Sequence, residues 1–332
     1  MQDYINERLS GTAANSTLIK RIPFLFELSQ LIPGSSNFSF LNDTKKVLDR
    51  INKSSNVNTQ WATLWHINAA IKSDPNVVSD KSKQFYQNLV EKLDKARKTH
   101  QDNNVKTPKQ VEVLKLNLDE YQTNLQNKIE ELFGSYSIPF NKLTAKSLKL
   151  IDTEFTKQLQ DLVILGCYLF QPALRNDWGA INITKRKTGL SDEKNYLYIR
   201  GTTMTLFMNN FKHAKKIGKK VITIRPALGK LLSIWLQVVK HKIGSAPEYP
   251  LLYLISNNRF EHVSNDEALQ RKIPRVSERV LGFNLGINDY RILWETAIQR
   301  DPMYQTMSIE EKRNIHNELL HGIDIAKFYN KV

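Results

Sequence analysis

The sequence predicts an α+β protein that is mainly helical, with an all-helical first part and a mixed second part around a small antiparallel sheet. Three observations carry this expectation. Apolar residues recur at helical spacing from Leu18 to Leu132. Short segments of strand character, separated by glycine turns, crowd between Ala180 and Ile224. Between the two patterns, Gly134–Pro139 gathers Gly, Ser and Pro into a break. The expected domains are therefore residues 15–135 and 140–332, preceded by a polar, loosely ordered N-terminus over residues 1–14. With 332 residues and 41% hydrophobic content, the chain can build two cores.

The elements follow in order. Ser16–Thr17 start a helix whose Leu18, Ile22, Leu25, Phe26 and Leu28 share a face, and Pro33–Gly34 break it. Leu41, Val47, Leu48 and Ile51 suggest a second helix, with Asn42–Asp43 available as caps. Asn58 or Thr59 opens a third, lined by Trp61, Leu64, Trp65, Ile67, Ala70 and Ile71 and ended by Pro75. Residues 81–98 form a fourth with Phe85, Leu89 and Leu93 inward, and Thr107-Pro108 start a fifth that runs to Leu132. Thr144–Phe170 is a further helix, apolar in its second half and halted by Pro172. Strands are expected at Ala180–Lys185, Asn195–Ile199, Thr205–Asn209 and Lys220–Ile224, with turns at Thr188-Gly189, Gly201 and Ile217-Gly218. Pro226 begins a helix through Leu228, Leu231, Leu232, Trp235 and Val238. Leu251–Ile255 is a short strand or apolar turn, and helices follow at about 264–281, 289–299, 308–320 and 322–330.

The formal net charge is +15, and it is uneven: residues 1–140 carry 18 Lys and Arg against 15 Asp and Glu, whereas residues 141–332 carry 30 against 18. Such a field attracts polyanions, nucleic acid first, although ribosomal and membrane-surface proteins share it. The single cysteine, Cys167, lies in an apolar run. It excludes a disulfide framework and a cysteine zinc site within one chain, and suits a buried thiol in a reducing, intracellular compartment. No apolar run reaches the ~18–20 residues of a membrane span, and no leader core is visible. Phosphate loops, dinucleotide fingerprints, HExxH and GxSxG motifs are missing, and the scattered Asp and Glu disfavour a two-metal nuclease. No metal or cofactor is therefore expected.

Five positions suit phosphoryl transfer without a metal. Arg175, in Gln-Pro-Ala-Leu-Arg-Asn-Asp-Trp, follows an apolar helix, and Arg291, in Asn-Asp-Tyr-Arg-Ile-Leu-Trp, lies on an apolar helix face. Two guanidinium forks can neutralise the non-bridging oxygens of a phosphodiester. The structural alternatives are an ion pair of Arg175 with Asp177 and of Arg291 with Glu295. Lys212, Lys215, Lys216, Lys219 and Lys220 crowd nine residues around a hairpin. They could meet phosphates, with Lys212 protonating a leaving oxygen, or form only a solvated loop. His316 and His321 stand near the chain end, where Tyr329 could attack phosphorus and store the bond energy covalently. A structural histidine and an inert tail tyrosine are the plainer alternatives.

Taken together, the order Arg175, Lys212, Arg291, His321, Tyr329 resembles the tyrosine recombinase (integrase) family, whose pattern is arginine, hairpin lysine, His-x-x-Arg, His or Trp, and tyrosine. Asp177 resembles the acidic residue that follows the family's first arginine. Asn288-Asp289-Tyr290-Arg291 fills the His-x-x-Arg slot with Asn288 in place of histidine. The two arginines are 116 residues apart, and His321 precedes Tyr329 by eight. The segment from Leu174 through the lysine hairpin looks most like the integrases of virophages and large DNA viruses, and the resemblance covers about residues 15–332. It implies a SAM-like core-binding domain followed by a catalytic domain of the DNA breaking-rejoining fold, clamped around double-stranded DNA. It implies a tetramer on that DNA and, for a viral protein, host cytoplasm or nucleus. It also implies Arg175, Arg291 and His321 on the scissile phosphate, Lys212 as proton donor, Tyr329 as nucleophile, Asp177 and Asn288 in support, and Lys215, Lys216, Lys219 and Lys220 on DNA. The histidine's proton work would fall to Lys212 and His321, and His316 is a second match for the histidine position. An inactive DNA-binding derivative and a type IB topoisomerase-like enzyme are the competing expectations.

Overall fold

A computed structural model of the chain describes every residue except 14, 103–105, 141–142, 213, 245, 257–258, 263–265, 324–325 and 327–332, and leaves out the side chains of 15, 16, 100–102, 216, 262, 266 and 267. The chain forms two compact units, residues 1–105 and 106–332.

The first unit is helical: α1 (Gln2–Leu9), α2 (Asn15–Gln30), α3 (Thr44–Asn52), α4 (Val57–Ser73) and α5 (Asp80–Asp102), with a single 3-10 turn at Phe38–Asn42. Residues 2–9 are a helix rather than a loose tail. Ile5 and Leu9, one turn apart, are fully buried, and the Tyr4 hydroxyl donates to Asp74 at 2.6 Å. Asp43 caps α3 by accepting from the Lys46 amide, as expected. The cap of α4 is Asn56, slightly earlier than expected, accepting from the Asn58 and Thr59 amides. Leu25, Leu28, Phe38, Phe40, Leu64, Ile67 and Tyr86 form the core, and the Tyr86 hydroxyl donates to the Leu41 carbonyl at 2.7 Å. Phe85 and Leu89 are only half-buried; α5 buries Leu93, as expected, and Tyr86.

The second unit opens with α6 (Pro108–Val113) and α7 (Leu118–Ser135), where one long helix was expected. Asn117 splits them, because its side chain accepts from the Asp119 amide and starts a new helix. Asp152 likewise divides the next expected helix into α8 (Ala145–Leu150) and α9 (Thr153–Leu169), accepting from the Phe155 amide at 2.7 Å. The expected domain boundary at 135–140 therefore moves to 105/106. Tyr121, Leu125, Ile129, Leu132 and Phe133 of α7 share one core with α9, and Phe133 meets Phe155 edge-on at 5.2 Å. A turn rich in Gly and Pro is weaker punctuation than an apolar helix face that must be covered.

The main sheet holds β1 (Ile181–Thr184), β2 (Asn195–Arg200), β3 (Thr203–Met208), β4 (Lys220–Thr223) and β5 (Glu248–Pro250) in the order β4-β3-β2-β1-β5. It is mixed, not antiparallel. β1 and β2 run parallel because residues 185–194 carry the chain back before it re-enters the sheet, and the other pairings are antiparallel. Gly201, at φ +60°, makes the tight β2–β3 turn. Between β3 and β4 lies a short helix, α10 (Ala214–Ile217), and α11 (Pro226–Ile243) packs against α9, with Leu228 and Leu231 beside Gly166. The Leu251–Ile255 region includes one strand of a separate hairpin, β6 (Tyr253–Ser256) with β7 (Arg259–His262). Gln160 of α9 pins it, donating to the Tyr253 carbonyl and accepting from its amide, both at 2.8 Å. Then come α12 (Asp266–Leu281), α13 (Ile287–Arg300), the unforeseen α14 (Pro302–Thr306) and α15 (Ile309–Glu318). The helix expected at 322–330 lies largely outside the described residues. Cys167 is fully buried, which pushes its thiol up. No helix among the described residues is long and apolar enough to cross a membrane.

The position of α7 sets an expected outcome. A fragment spanning residues 106–332 should unfold cooperatively on heating. A fragment starting at residue 140 should lack a cooperative transition, because it loses α7, whose Phe133 packs on Phe155 of α9. Differential scanning calorimetry of the two fragments checks this.

Candidate functional site

The C-terminal end of α9 and the first turns of α13 build the site together. Pro172, Ala173 and Leu174 are buried after α9 ends, so the chain leaves the core at Arg175. The Tyr168 hydroxyl donates to the Arg175 carbonyl at 2.7 Å. From α13, the Arg291 guanidinium donates through Nη1 to the Ala173 carbonyl at 2.7 Å, and the Trp294 indole donates to the Tyr168 carbonyl at 2.8 Å. Arg291 is fully buried, and so is Tyr290, whose hydroxyl donates to Ser277 at 2.9 Å. The two arginines, far apart in sequence, thus act on one short stretch of backbone.

Beside that stretch lies a cleft of about 1050 Å³ lined by Arg175, Asp177, Lys212, Asn288, Asp289 and Glu193, with the amide side chains of Asn182, Asn195 and Asn210. Asn195 sets its shape. It donates through Nδ2 to the Asn210 carbonyl at 2.7 Å, and its Oδ1 accepts from the Asn209 and Asn210 amides at 2.9 and 2.8 Å. This ties the start of β2 to the chain leaving β3 and brings Lys212 to the rim. The Arg175 guanidinium is half-buried and makes no hydrogen bond or ion pair with Asp177 or any other described residue. Arg175 and Lys212 can therefore take an oxyanion, the first through two parallel N–H bonds. The cleft is not uniformly basic: Asp177, Glu193 and Asp289 also line it. Asp289 is engaged by Lys109 at 2.7 Å and by the Gly286 amide at 2.8 Å, which fixes the start of α13.

The structure gathers Arg175, Asp177, Lys212 and Asn288 in this cleft, and Arg291 stands behind it. His321 is elsewhere in the core, 1% exposed, with Nε2 at 2.9 Å from Glu295 Oε1 and Nδ1 at 3.1 Å from the Gly322 carbonyl. His316, the alternative match, is at 3.0 Å from the same carboxylate oxygen through Nδ1, while its Nε2 meets the Tyr304 hydroxyl at 2.7 Å. Glu295 therefore serves the two histidines and not Arg291, one turn before it. Burial alone would raise the Glu295 carboxyl, but the hydrogen bonds from His316 and His321, reinforced by their charge, hold it at about 2. Tyr329 lies outside the described residues. Among the hairpin lysines, Lys215 is exposed and Lys219 pairs with Asp192 at 2.5 Å. Lys220 sits within β4 opposite Met208, and the Lys216 side chain is outside the described set. Away from the cleft, α12 exposes Arg271, Arg275 and Arg279 at successive turns.

Glu295, His316 and His321 are the described cluster whose ligand atoms, within 4.8 Å of one another, could hold a metal. His316 and His321 both approach Glu295 Oε1, and the second Glu295 oxygen accepts from Gln299 at 3.0 Å. Sequence reasoning missed Glu295 as a histidine partner and missed Asn195 and Asn210 altogether. The available signal for Glu295 was a carboxylate on an apolar helix face, which has to be paired. No family model matches the chain, and no curated protein matches its sequence.

Glu295 generates a pH prediction. Its folded-state value is depressed, so its contribution is present above pH ~4.5 and is lost as pH falls toward 2. A depression from 4.5 to about 2 corresponds to roughly 3 kcal/mol. Urea midpoints measured between pH 6 and 2.5 (roughly the span that brackets such a shift) should fall for the natural chain, and the fall should be shallower for Glu295→Gln.

Proposed function

We propose that residues 106–332 form the catalytic part of a site-specific DNA recombinase of the tyrosine type, cutting and rejoining double-stranded DNA through a 3′-phosphotyrosyl link. The observation that carries this reading is the shared cleft. Arg175 and Lys212 line it from separate segments, and Arg291 binds the backbone two residues before Arg175. That is an arrangement suited to one phosphate and one departing oxygen. The net charge of +15 suits a polyanionic partner.

In this mechanism the Arg175 guanidinium forks onto the non-bridging oxygens of the scissile phosphate, and Arg291 braces the segment that presents it. The Tyr329 hydroxyl gives up its proton to solvent as its oxygen attacks phosphorus, and a Tyr–O–P bond forms as the bond to the 5′ oxygen breaks. Lys212 supplies the proton that the departing 5′ oxygen takes up. A 5′ hydroxyl from a partner strand reverses the step, so the reading calls for neither metal nor nucleotide cofactor. Four subunits on the DNA, two active at a time, would complete an exchange. His321, oriented by Glu295, would support the phosphate from the core side.

A second reading is favoured by one specific observation. Arg291 and His321 are 0% and 1% exposed, and Asn288 fills the histidine slot. A recombinase-derived protein that binds DNA without cutting it would tolerate both. A nicked suicide substrate separates the readings. The natural chain should form a covalent protein–DNA adduct and Tyr329→Phe should form none while still binding DNA. An adduct in Tyr329→Phe would sink the assignment of the nucleophile, and binding without any adduct in the natural chain would favour the second reading. Arg175→Ala should slow adduct formation by about 10²–10³, the ~2.7–4 kcal/mol typical of one lost oxyanion donor.

A further inference from the structure

Arg21, in the middle of α2, is only 8% exposed, yet its guanidinium makes no hydrogen bond or ion pair with any described residue. Its Nε is buried with no partner. Arginines this buried are almost always paired, because an unneutralised charge out of water is expensive. The surroundings add no acid. The neighbouring His66 is pushed toward its neutral form by burial and then by the charge on Arg21. Its Nδ1 is likewise buried without a partner.

Arg21 opens into a cleft of about 270 Å³ that it shares with Trp65, Asn68, Lys72, Ser73 and Thr12. Trp65, Asn68 and Lys72 fall on one face of α4, at the spacing of successive turns. Asn68 makes no side-chain hydrogen bond with any described residue, so its amide is available. The Ser73 and Thr12 hydroxyls donate to the Ala70 and Leu9 carbonyls, which leaves their lone pairs rather than their protons toward the cleft. Asp74, next to Ser73, is already held by the Tyr4 hydroxyl and by Arg8 at 3.5 Å. The volume lies below the ~300–1,000 Å³ of drug-sized sites and suits one small group.

We infer that this cleft of the helical unit is an anion site for a single phosphate group, with Arg21 forking onto two oxygens, Lys72 and the Asn68 amide reaching the others, and the half-exposed Trp65 offering a face to whatever carries the phosphate. A guanidinium, an ammonium and an amide converging from two helices match a tetrahedral oxyanion better than a planar carboxylate. The phosphate comes either from a nucleic-acid backbone, with a base against Trp65, or from a free phosphate compound. The site itself does not depend on recombinase activity.

The test uses the full chain in two arms. In the first, thermal midpoints are compared in sodium phosphate and sodium chloride at matched ionic strength. Phosphate should raise the midpoint of the natural chain beyond the general salting effect, which acts on all variants alike. Arg21→Met should lose that specific rise, and Lys72→Gln, an exposed change that spares the fold, should need more phosphate to reach it. An equal rise in all three proteins overturns the site. In the second arm, duplex DNA binding is followed against salt. If the backbone supplies the phosphate, the slope of log affinity against log salt should become shallower by about 0.9 in Arg21→Met and in Lys72→Gln. An unchanged slope with a specific phosphate response assigns the site to a free phosphate compound and overturns the backbone source. Failure of the natural chain to bind DNA at all counts against the proposed recombinase, and the first arm still decides the cleft.

Discussion

The attachment of α13 to the end of α9 governs the second unit. Two hydrogen bonds make it, Arg291 to the Ala173 carbonyl and Trp294 to the Tyr168 carbonyl, and the Tyr168 hydroxyl adds a third within the exit segment by donating to the Arg175 carbonyl. All three serve carbonyls at or beyond a helix C-terminus, where the backbone has no partner of its own. A buried arginine there does the work of a C-cap from another helix. The chain after α9 is thereby fixed where it leaves the core, and Arg175 is the first residue there that is not buried. Every other feature of the cleft is referenced to that exit.

Much of the fold was legible because it rests on local chemistry. The Asp43 cap, the proline start of α11, the Gly201 turn and the four main strand segments each follow from a few neighbouring residues. The failures share a different cause. Asn117 and Asp152 look like ordinary polar residues inside long helical patterns, and only their side-chain bonds to the next turn show that a helix restarts there. The parallel pairing of β1 with β2 depends on where residues 185–194 travel, which alternation of side chains does not encode. The unit boundary was misplaced because α7 belongs with the core that its apolar face meets, and composition does not reveal which core that is.

The site was legible to a different extent. Arg175, Asp177, Lys212 and Asn288 share a cleft, as the order of motif residues led one to expect. The histidines do not line that cleft; both are buried against Glu295. A sequence motif reports which side chains are present, whereas the direction each one faces is set by partners such as Glu295 and Asn195, which carry no motif of their own. Lys219, read as a hairpin lysine facing DNA or solvent, makes an exposed ion pair with Asp192.

The cleft lining also separates two properties that a basic protein usually merges. Arg175, Lys194 and Lys212 stand among Asp177, Glu193 and Asp289, so the formal charges of the cleft lining balance within a chain of net charge +15. Under the proposed function, grip and discrimination would be housed in different places: the net charge would set the hold, while the cleft would take an anion only where its oxygens meet the cations and avoid the three carboxylates.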